Sequence, residues 1–238
     1  KLEVRQLPQE PRPVGGYGAG VAVLLEDGNL LVEKVGKVDG SPACSLPEIV
    51  EVKNAFVLLG HVRMPSPEFM GTAKFKETAQ PYVVERDPGL TVASVHNGKM
   101  ENYLEVRRKF GAGHVFESEK VGLIDSEVIP HFFEEMLSEE EDVTEALYGF
   151  FCALKGSNAV AMLQLGEENS FLHLVHKGKT RGLTVWTSER GEVIFCSRKT
   201  PLVEEFGKTL ETGKFRESVS IPYRESAGLI LSYPLLGR

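Results

Sequence analysis

The strongest constraint on the fold is an alternation of apolar, β-like runs with two amphipathic, helix-like segments. Residues 90–95 and 159–165 are apolar on both faces, which is typical of strands in a sheet that is covered on each side. Between these runs, residues 126–137 and 143–154 repeat apolar side chains at helical spacing. Strands at both ends with two helices between them predict a layered α+β domain.

Other segments extend this prediction. Residues 20–25 and 29–35 flank Asp27-Gly28, which is a strong signal for a β-hairpin. The C-terminal third is predicted to be rich in strands, followed by a short helix; these segments are residues 159–165, 171–176, 183–187 and 192–196, with the helix at 202–210. With 238 residues, the chain is expected to form a single domain over residues 1–238.

Composition and charge exclude several classes of protein. The net charge of −7 and the lack of a dense Lys/Arg block argue against nucleic acid as the main partner. No apolar run approaches the roughly 20 residues needed to cross a bilayer, so no membrane partner is expected.

The cysteines indicate a reducing compartment. Cys44, Cys152 and Cys196 are odd in number and widely spaced, which favours reduced thiols and a cytoplasmic location. Cys152 and Cys196 lie in apolar runs and are predicted to be buried, whereas Cys44 lies in a loop and is predicted to be more exposed. Because no Cys/His pair has the spacing of metal ligands and the six histidines are scattered, we expect no metal site. No cofactor is expected either.

A change of pattern at residues 94–98 is the clearest functional signal. The β-like run ends at His96-Asn97-Gly98, and residues 99–110 carry apolar side chains on one helical face. An Asn-Gly pair usually joins the two strands of a hairpin, but no second strand is predicted here. A carboxamide and an unhindered Gly amide at one bend are suited to an oxyanion hole.

Two other short segments stand beside this one in a fixed order. The three are Gly60-His61-Val62-Arg63, His96-Asn97-Gly98 with Glu101-Asn102-Tyr103 downstream, and Asp125-Ser126-Glu127-Val128. Their order and context resemble the glutaminase domain of the class II glutamine amidotransferases, a branch of the N-terminal nucleophile hydrolases. The resemblance spans most of residues 15–200. It implies a four-layer αββα sandwich of two antiparallel sheets that hydrolyses glutamine and passes ammonia to a separate synthase partner.

The resemblance also implies roles for individual residues. Arg63 would hold the α-carboxylate of glutamine through a bidentate ion pair, and Asp125 would accept from the α-ammonium group. Asn97 and Gly98 would stabilise the oxyanion of the tetrahedral intermediate. Two loop residues, Ser66 and Gln80, would line the glutamine pocket.

Each of these residues also has a purely structural explanation. Taken alone, Arg63 is a common kind of surface charge, and Asp125 is a good helix N-cap. His61 and His96, which adjoin apolar strands, are expected to be hydrogen-bonded core residues rather than bases.

The nucleophile is the point at which the chain departs from the family. The family attacks with a Cys at the mature N-terminus, whose α-amino group serves as the base, whereas this chain starts with Lys1-Leu2-Glu3-Val4. Either the sequence begins downstream of the true N-terminus, or the nucleophile has been lost. The second case predicts a catalytically inactive module that binds glutamine or has a structural role. A third hypothesis is an amidase that acts on another amide, and a homo-oligomer is compatible with any of these.

Overall fold

The structure, a computed structural model, describes residue 3 and residues 15–46, 54–86, 89–111, 113–140, 142–167 and 169–235. Within these residues the elements are, in chain order, β1 (Gly18–Leu25), β2 (Leu30–Gly36), β3 (Ala55–Val62), β4 (Tyr82–Arg86), β5 (Leu90–Met100), α1 (Tyr103–Arg107), α2 (Asp125–Glu139), α3 (Val143–Ala153), β6 (Gly156–Leu165), β7 (Ser170–Lys179), β8 (Leu183–Thr187), β9 (Val193–Cys196), α4 (Lys199–Thr212), β10 (Arg216–Ile221) and β11 (Ser226–Pro234).

The strands form three antiparallel sheets. A five-stranded sheet has the order β11-β7-β6-β5-β4, and two three-stranded sheets have the orders β2-β1-β3 and β10-β8-β9. The five-stranded sheet is built around a long ladder between β5 and β6, which pairs Thr91 with Leu165 at one end and Met100 with Gly156 at the other. The expected second sheet is thus divided into two smaller sheets within the described residues.

Two apolar cores order these sheets and helices into layers. On one face of the five-stranded sheet, Phe133 of α2 and Phe150 of α3 pack with Met162 and other buried side chains. On the opposite face, a second core joins the five-stranded sheet to both small sheets, as shown by Leu163, Leu59 and Val185. Helix α4 contacts β8 and β9. The order of layers is therefore helices, sheet, paired small sheets and helix, which is the predicted αββα arrangement.

Most of the predicted elements are confirmed. The Asp27-Gly28 hairpin joins β1 and β2, and both amphipathic helices form over nearly the predicted residues. The four C-terminal runs and the following helix correspond to β6, β7, β8, β9 and α4. The last two strands, β10 and β11, were not predicted. Strand β10 contains only two apolar residues, Val219 and Ile221, and alternates between exposed and half-buried positions. Strand β11 is largely apolar, and its residues pair with β7 at the edge of the five-stranded sheet.

The helix predicted at residues 99–110 forms only over Tyr103–Arg107, and the predicted start of the helix is wrong. Strand β5 continues through Asn97 and Gly98 to Met100, because these residues pair with β6 opposite Ala159, Asn158 and Gly156. The helix that follows, α1, contains only five residues. Ladder hydrogen bonds to a neighbouring strand have outweighed the local helical pattern.

The prediction for Cys152 is also wrong. Cys152 and Cys44 are exposed, and Cys196 is half-buried; all three are free thiols. In α3 the buried side chains are Ala146, Leu147 and Phe150, so Cys152 projects from the opposite face of the helix. No helix in the described part of the chain is both long and apolar enough to cross a membrane.

Candidate functional site

One cavity of about 190 Å³ opens between the large sheet and the two small ones. It is bordered by β3 and β9, which are edge strands of the two small sheets, and by β5 and β6 beneath them. All six of the predicted site residues line this cavity, namely Arg63, Ser66, Gln80, Asn97, Gly98 and Asp125. Residues that are up to 62 positions apart in sequence are thereby brought to one place.

Arg63 is a buried residue, with only 4% of its surface exposed. It follows β3 directly, and its guanidinium donates hydrogen bonds to Thr78 Oγ1 at 2.6 Å and to Thr72 Oγ1 at 3.1 Å. Burial lowers the pKa of Arg63, while the charges of Tyr82 and Asp125 act in the opposite direction. The interpretation of Arg63 as a surface charge is wrong, since a buried guanidinium is retained only where it has partners.

Asp125 brings the opposite charge to the same cavity. It is the first residue of α2, and its Oδ2 accepts a hydrogen bond from the backbone N–H of Met100 at 2.9 Å. The N-cap position belongs to Ile124, which has no side-chain cap, so the N-cap explanation of Asp125 is wrong. A carboxylate in the first turn of a helix is also stabilised by the helix dipole.

Asn97 is oriented by a residue that the sequence did not identify. Its carboxamide oxygen accepts a hydrogen bond from Arg181 Nη1 at 3.0 Å. A guanidinium only donates hydrogen bonds, so this contact assigns the oxygen to the side of Arg181 and leaves the NH₂ group as the donor for a ligand. Arg181 lies in the turn between β7 and β8 and is itself held through its carbonyl by Arg198 Nη1 at 2.8 Å.

Gly98 lies at a place in β5 where a side chain does not fit. Its φ is +150°, and a Cβ atom there would lie 2.0 Å from the carbonyl oxygen of Ser157. The strand backbone can therefore approach β6 this closely only with glycine at position 98.

Gln80 and His96 hold the backbone beside Asn97. Gln80 Nε2 donates to the His96 carbonyl at 3.0 Å, and the His96 N–H donates to Gln80 Oε1 at 2.5 Å. The His96 ring contacts Ser126 Oγ at 2.9 Å and Asn158 Oδ1 at 3.1 Å. Gln80 thus lines the cavity, but both ends of its carboxamide are hydrogen-bonded to the backbone of β5. Ser66 lines the same cavity and is half-buried.

The two histidines next to the cavity are neutral near pH 7. Burial lowers the pKa of His96, against the opposing charge of Asp125. Burial, followed by the charges of His96 and Arg63, lowers the pKa of His61 to about 3. His96 is a hydrogen-bonded core residue as predicted. The prediction holds in part for His61, which has a hydrogen bond with the His96 backbone. Its buried Nδ1 has no hydrogen-bond partner among the described residues.

Sequence reasoning missed the wall of the cavity that comes from the C-terminal half. Arg181, Phe195, Cys196 and Ser197 line it, and no spacing or motif marks them in the sequence. Burial raises the pKa of the Cys196 thiol, whose sulfur accepts a hydrogen bond from the Arg198 N–H at 3.4 Å. Cys196 is therefore a protonated thiol at neutral pH and lacks the features of an activated nucleophile.

Comparison with known proteins defines the class of protein to which this fold and cavity correspond. Residues 70–204, more than half of the chain, match the family described as the glutamine amidotransferase domain. The chain belongs to this family, of the class II, N-terminal nucleophile type.

Individual relatives carry a more specific name. The chain is 32% identical over 205 residues to the glutamine–fructose-6-phosphate aminotransferase (isomerizing) of Aeropyrum pernix. This alignment covers 81% of this chain and 30% of the relative. It is 34% identical over 208 residues to the enzyme of the same name from Thermosynechococcus vestitus, covering 84% of this chain and 30% of the relative. The chain thus spans about a third of the length of these curated relatives.

Solved structures agree on the fold. The glutamine phosphoribosylpyrophosphate amidotransferase from B. subtilis, complexed with ADP and GMP, aligns with a TM-score of 0.57. The alignment covers 93% of this chain and 43% of that one, at 17% sequence identity. At a sequence identity this low, the structural similarity shows the fold alone, which is the sandwich architecture.

Proposed function

We propose that this domain binds glutamine and hydrolyses its side-chain amide, so that ammonia is released for a synthase. The observation that carries the proposal is the pair of opposite charges, Arg63 and Asp125, buried at one small cavity beside Asn97. A free α-amino acid is a zwitterion, and its two charged ends need one cation and one anion in the protein. Family membership supports the same conclusion.

Each charged residue is assigned one end of the substrate. Two N–H groups of Arg63 are bonded to Thr72 and Thr78, which orients the guanidinium and leaves further donors for the α-carboxylate. Asp125 Oδ2 is bonded to the backbone of Met100, and the remaining carboxylate oxygen is assigned to the α-ammonium group.

The reaction is proposed to proceed through a thioester. A cysteine sulfur attacks the side-chain carbonyl carbon of glutamine, and the carbonyl oxygen becomes an oxyanion. The NH₂ group of Asn97 and the amide of Gly98 would donate to this oxyanion. The α-amino group of the cysteine takes the thiol proton and passes it to the departing nitrogen, so that collapse of the intermediate breaks the C–N bond, expels ammonia and leaves a glutamyl thioester. Water then hydrolyses the thioester to glutamate and free thiol.

The thiol is proposed to come from a mature N-terminal Cys, as the family resemblance implies. Among the described cysteines, Cys44 and Cys152 are exposed and Cys196 is protonated, so none is an activated thiol at the cavity. The same observation favours one alternative, a module that binds glutamine without hydrolysing it. Both functions need the same charged pair.

The ammonia acceptor is proposed to bind outside residues 1–238, on a synthase module or partner subunit. The relatives are named for amination of fructose 6-phosphate, and this chain matches only 30% of their length. We propose a cytoplasmic location, which the three free thiols support.

Glutamine binding is tested by titration calorimetry on the chain of residues 1–238. Arg63→Ala should weaken binding by about a hundred-fold or more, because it leaves the substrate carboxylate unpaired in a buried site. Arg216→Ala is the matched control, since the Arg216 side chain is 83% exposed and does not line the cavity. Equal affinity of the Arg63→Ala and wild-type proteins would remove Arg63 from the site.

Hydrolysis is tested on protein expressed from the native gene, whose intact mass identifies the mature N-terminus. An N-terminal Cys together with ammonia release from glutamine supports the glutaminase. Binding of glutamine with no ammonia release supports the binding module. Release of amine from acylated amines, with none from glutamine, would indicate a different amidase.

A further inference from the structure

A second group of chemically active side chains lies on α2, well away from the cavity. It consists of His131, Glu134 and Glu135 from the helix and His114 from the preceding loop, and we refer to it as the histidine cluster. Asp125, at the cavity, precedes Glu134 by nine residues, which corresponds to about 14 Å along a helix. The cluster is therefore separate from the proposed glutamine site.

The two imidazole rings of the cluster have their Nδ1 atoms directed at each other. His114 Nδ1 lies 3.0 Å from His131 Nδ1 and 3.9 Å from Glu134 Oε2. In a tetrahedral zinc site with bonds of about 2.0–2.1 Å, neighbouring ligand atoms are about 3.3–3.4 Å apart. The first separation is shorter than this value and the second is longer, so the side chains of His131 and Glu134 must rotate about His114 before one ion can contact all three atoms. Ligand atoms of His114, Glu134 and Glu135 already lie within 4.8 Å of one another.

Glu135 determines which nitrogen of His114 faces His131 and Glu134. Its Oε1 lies 2.7 Å from His114 Nε2, on the far side of the ring. An N–H on Nε2 donates to this carboxylate and leaves a lone pair on Nδ1, directed at His131. This carboxylate–histidine pairing is the usual arrangement behind a metal-bound imidazole.

Burial and charge also suit a cation. The side chain of Glu134 is 2% exposed and that of His114 12% exposed, and the rings of Phe110 and Phe116 stack on His114 and His131. Arg86 contacts both carboxylates, through Glu134 Oε1 and at 3.7 Å through Glu135 Oε1. Arg107, whose charge also acts on His131, is paired with Glu119. The two carboxylates of the cluster against Arg86 therefore leave a net negative charge, and Glu134 Oε2 faces His114.

We propose that the histidine cluster is a zinc site, with His114 Nδ1, His131 Nδ1 and Glu134 Oε2 as protein ligands and Glu135 as the residue that orients His114. Imidazole and carboxylate ligands together suit Zn²⁺ rather than the alkaline-earth ions, which prefer oxygen alone. When Nδ1 of His131 binds the ion, its ring carries the proton on Nε2. The site does not depend on the proposed glutamine chemistry.

Zinc binding is tested by titrating zinc chloride into the tag-free, chelator-dialysed chain and measuring heat and stoichiometry. One ion per chain is expected. His114→Ala, a change in a loop, should weaken binding by about a hundred-fold or more. Glu135→Gln should weaken it by about 10- to 100-fold, as is typical for a group that orients a ligand. Glu139→Gln is the matched control, because it removes the same charge one turn further along α2 at an exposed position.

A measurement on the wild-type chain does not depend on any variant folding. Of the six histidines, only His114 and His131 should show shifted ring proton signals in the NMR spectrum when zinc is added. The proposal is overturned if the wild-type chain binds no zinc, if the shifts fall on other histidines, or if His114→Ala binds zinc as tightly as Glu139→Gln.

Discussion

At the scale of single residues, the hydrogen bond from Arg181 to Asn97 has the most direct consequence for the proposed reaction. This hydrogen bond determines that the NH₂ group of the carboxamide, rather than its oxygen, faces a substrate. Its donor, Arg181, lies in a turn 84 residues away in sequence. Arg181 is thus a positioning residue in the proposed mechanism, since it acts through Asn97.

Replacing Arg181 should affect turnover more than binding. In protein from the native gene, Arg181→Met should lower the kcat for glutamine by about 10- to 100-fold and leave KM within a few-fold, because an oxyanion donor acts mainly in the transition state. Arg181→Lys keeps a donor and should recover part of the loss. An Arg181→Met enzyme with wild-type kcat would show that Asn97 does not need this contact.

Asp125 allows charge to be separated from structure. Asp125→Asn retains an oxygen that can accept from the Met100 N–H but removes the negative charge. Glutamine affinity should fall by about 10- to 100-fold, since a charge-assisted hydrogen bond contributes about 1.5–3 kcal/mol. Calorimetry measures the affinity, and a thermal melt should show nearly unchanged stability. Asp39→Asn, at an exposed position, serves as the control; equal affinities for the two variants would exclude Asp125 from the site.

At the scale of elements, the path of β5 through Asn97 and Gly98 is the feature that places the site. The strand pairs with β6 from Thr91 to Met100, and the close approach at Gly98 leaves no space for a Cβ atom. A side chain there must push the two central strands apart.

Gly98→Ala should therefore destabilise the fold by about 3 kcal/mol, from backbone strain and the overlap with the Ser157 carbonyl. Urea unfolding measures the change. Gly71→Ala is the control, because nothing lies within 4 Å of a Cβ atom at Gly71. If both variants unfold at the same urea concentration, β5 and β6 are not packed as closely as described.

At the scale of the whole molecule, buried neutral histidines make stability depend on pH. His173 is fully buried on the five-stranded sheet, where its ring bonds to Gln164 at 2.9 Å and to Ser232 at 2.9 Å. Burial lowers the pKa of His173 to about 4. Burial also lowers the pKa of His96 and His176.

The unfolding free energy should fall as the pH is lowered. The folded pKa of His173 lies below the ordinary value of about 6.5, so the unfolded chain binds more protons between these two values. Stability is complete above pH 6.5 and decreases toward pH 4, with a loss of about 1 kcal/mol from His173 between pH 7 and 5.5. Urea unfolding at pH 7 and at pH 5.5 measures this loss of unfolding free energy. In the His173→Gln variant the loss should be smaller by about 1 kcal/mol. An unfolding free energy that is the same at both values would contradict the burial of these histidines.

The two histidines of the proposed zinc site are too far apart in the sequence for their spacing to indicate a metal site. His114 and His131 are separated by 17 residues, and only the fold of the loop against α2 sets their Nδ1 atoms 3.0 Å apart. Spacing rules detect ligands that lie on one local element, whereas this group is formed between two.

Local patterns in the sequence were sufficient to predict the layered α+β class, the Asp27-Gly28 hairpin and both central helices, because periodicity and turn chemistry need no knowledge of distant contacts. Six of the residues that line the cavity were predicted from the family resemblance that the ordered motifs carry. Tertiary structure alone decided that β5 runs on past Gly98, that Arg181 meets Asn97, and that Asp125 binds the Met100 backbone rather than capping its helix. Each depends on hydrogen-bonding partners far away in sequence, and their free energy outweighs local preference only once the sheets have packed.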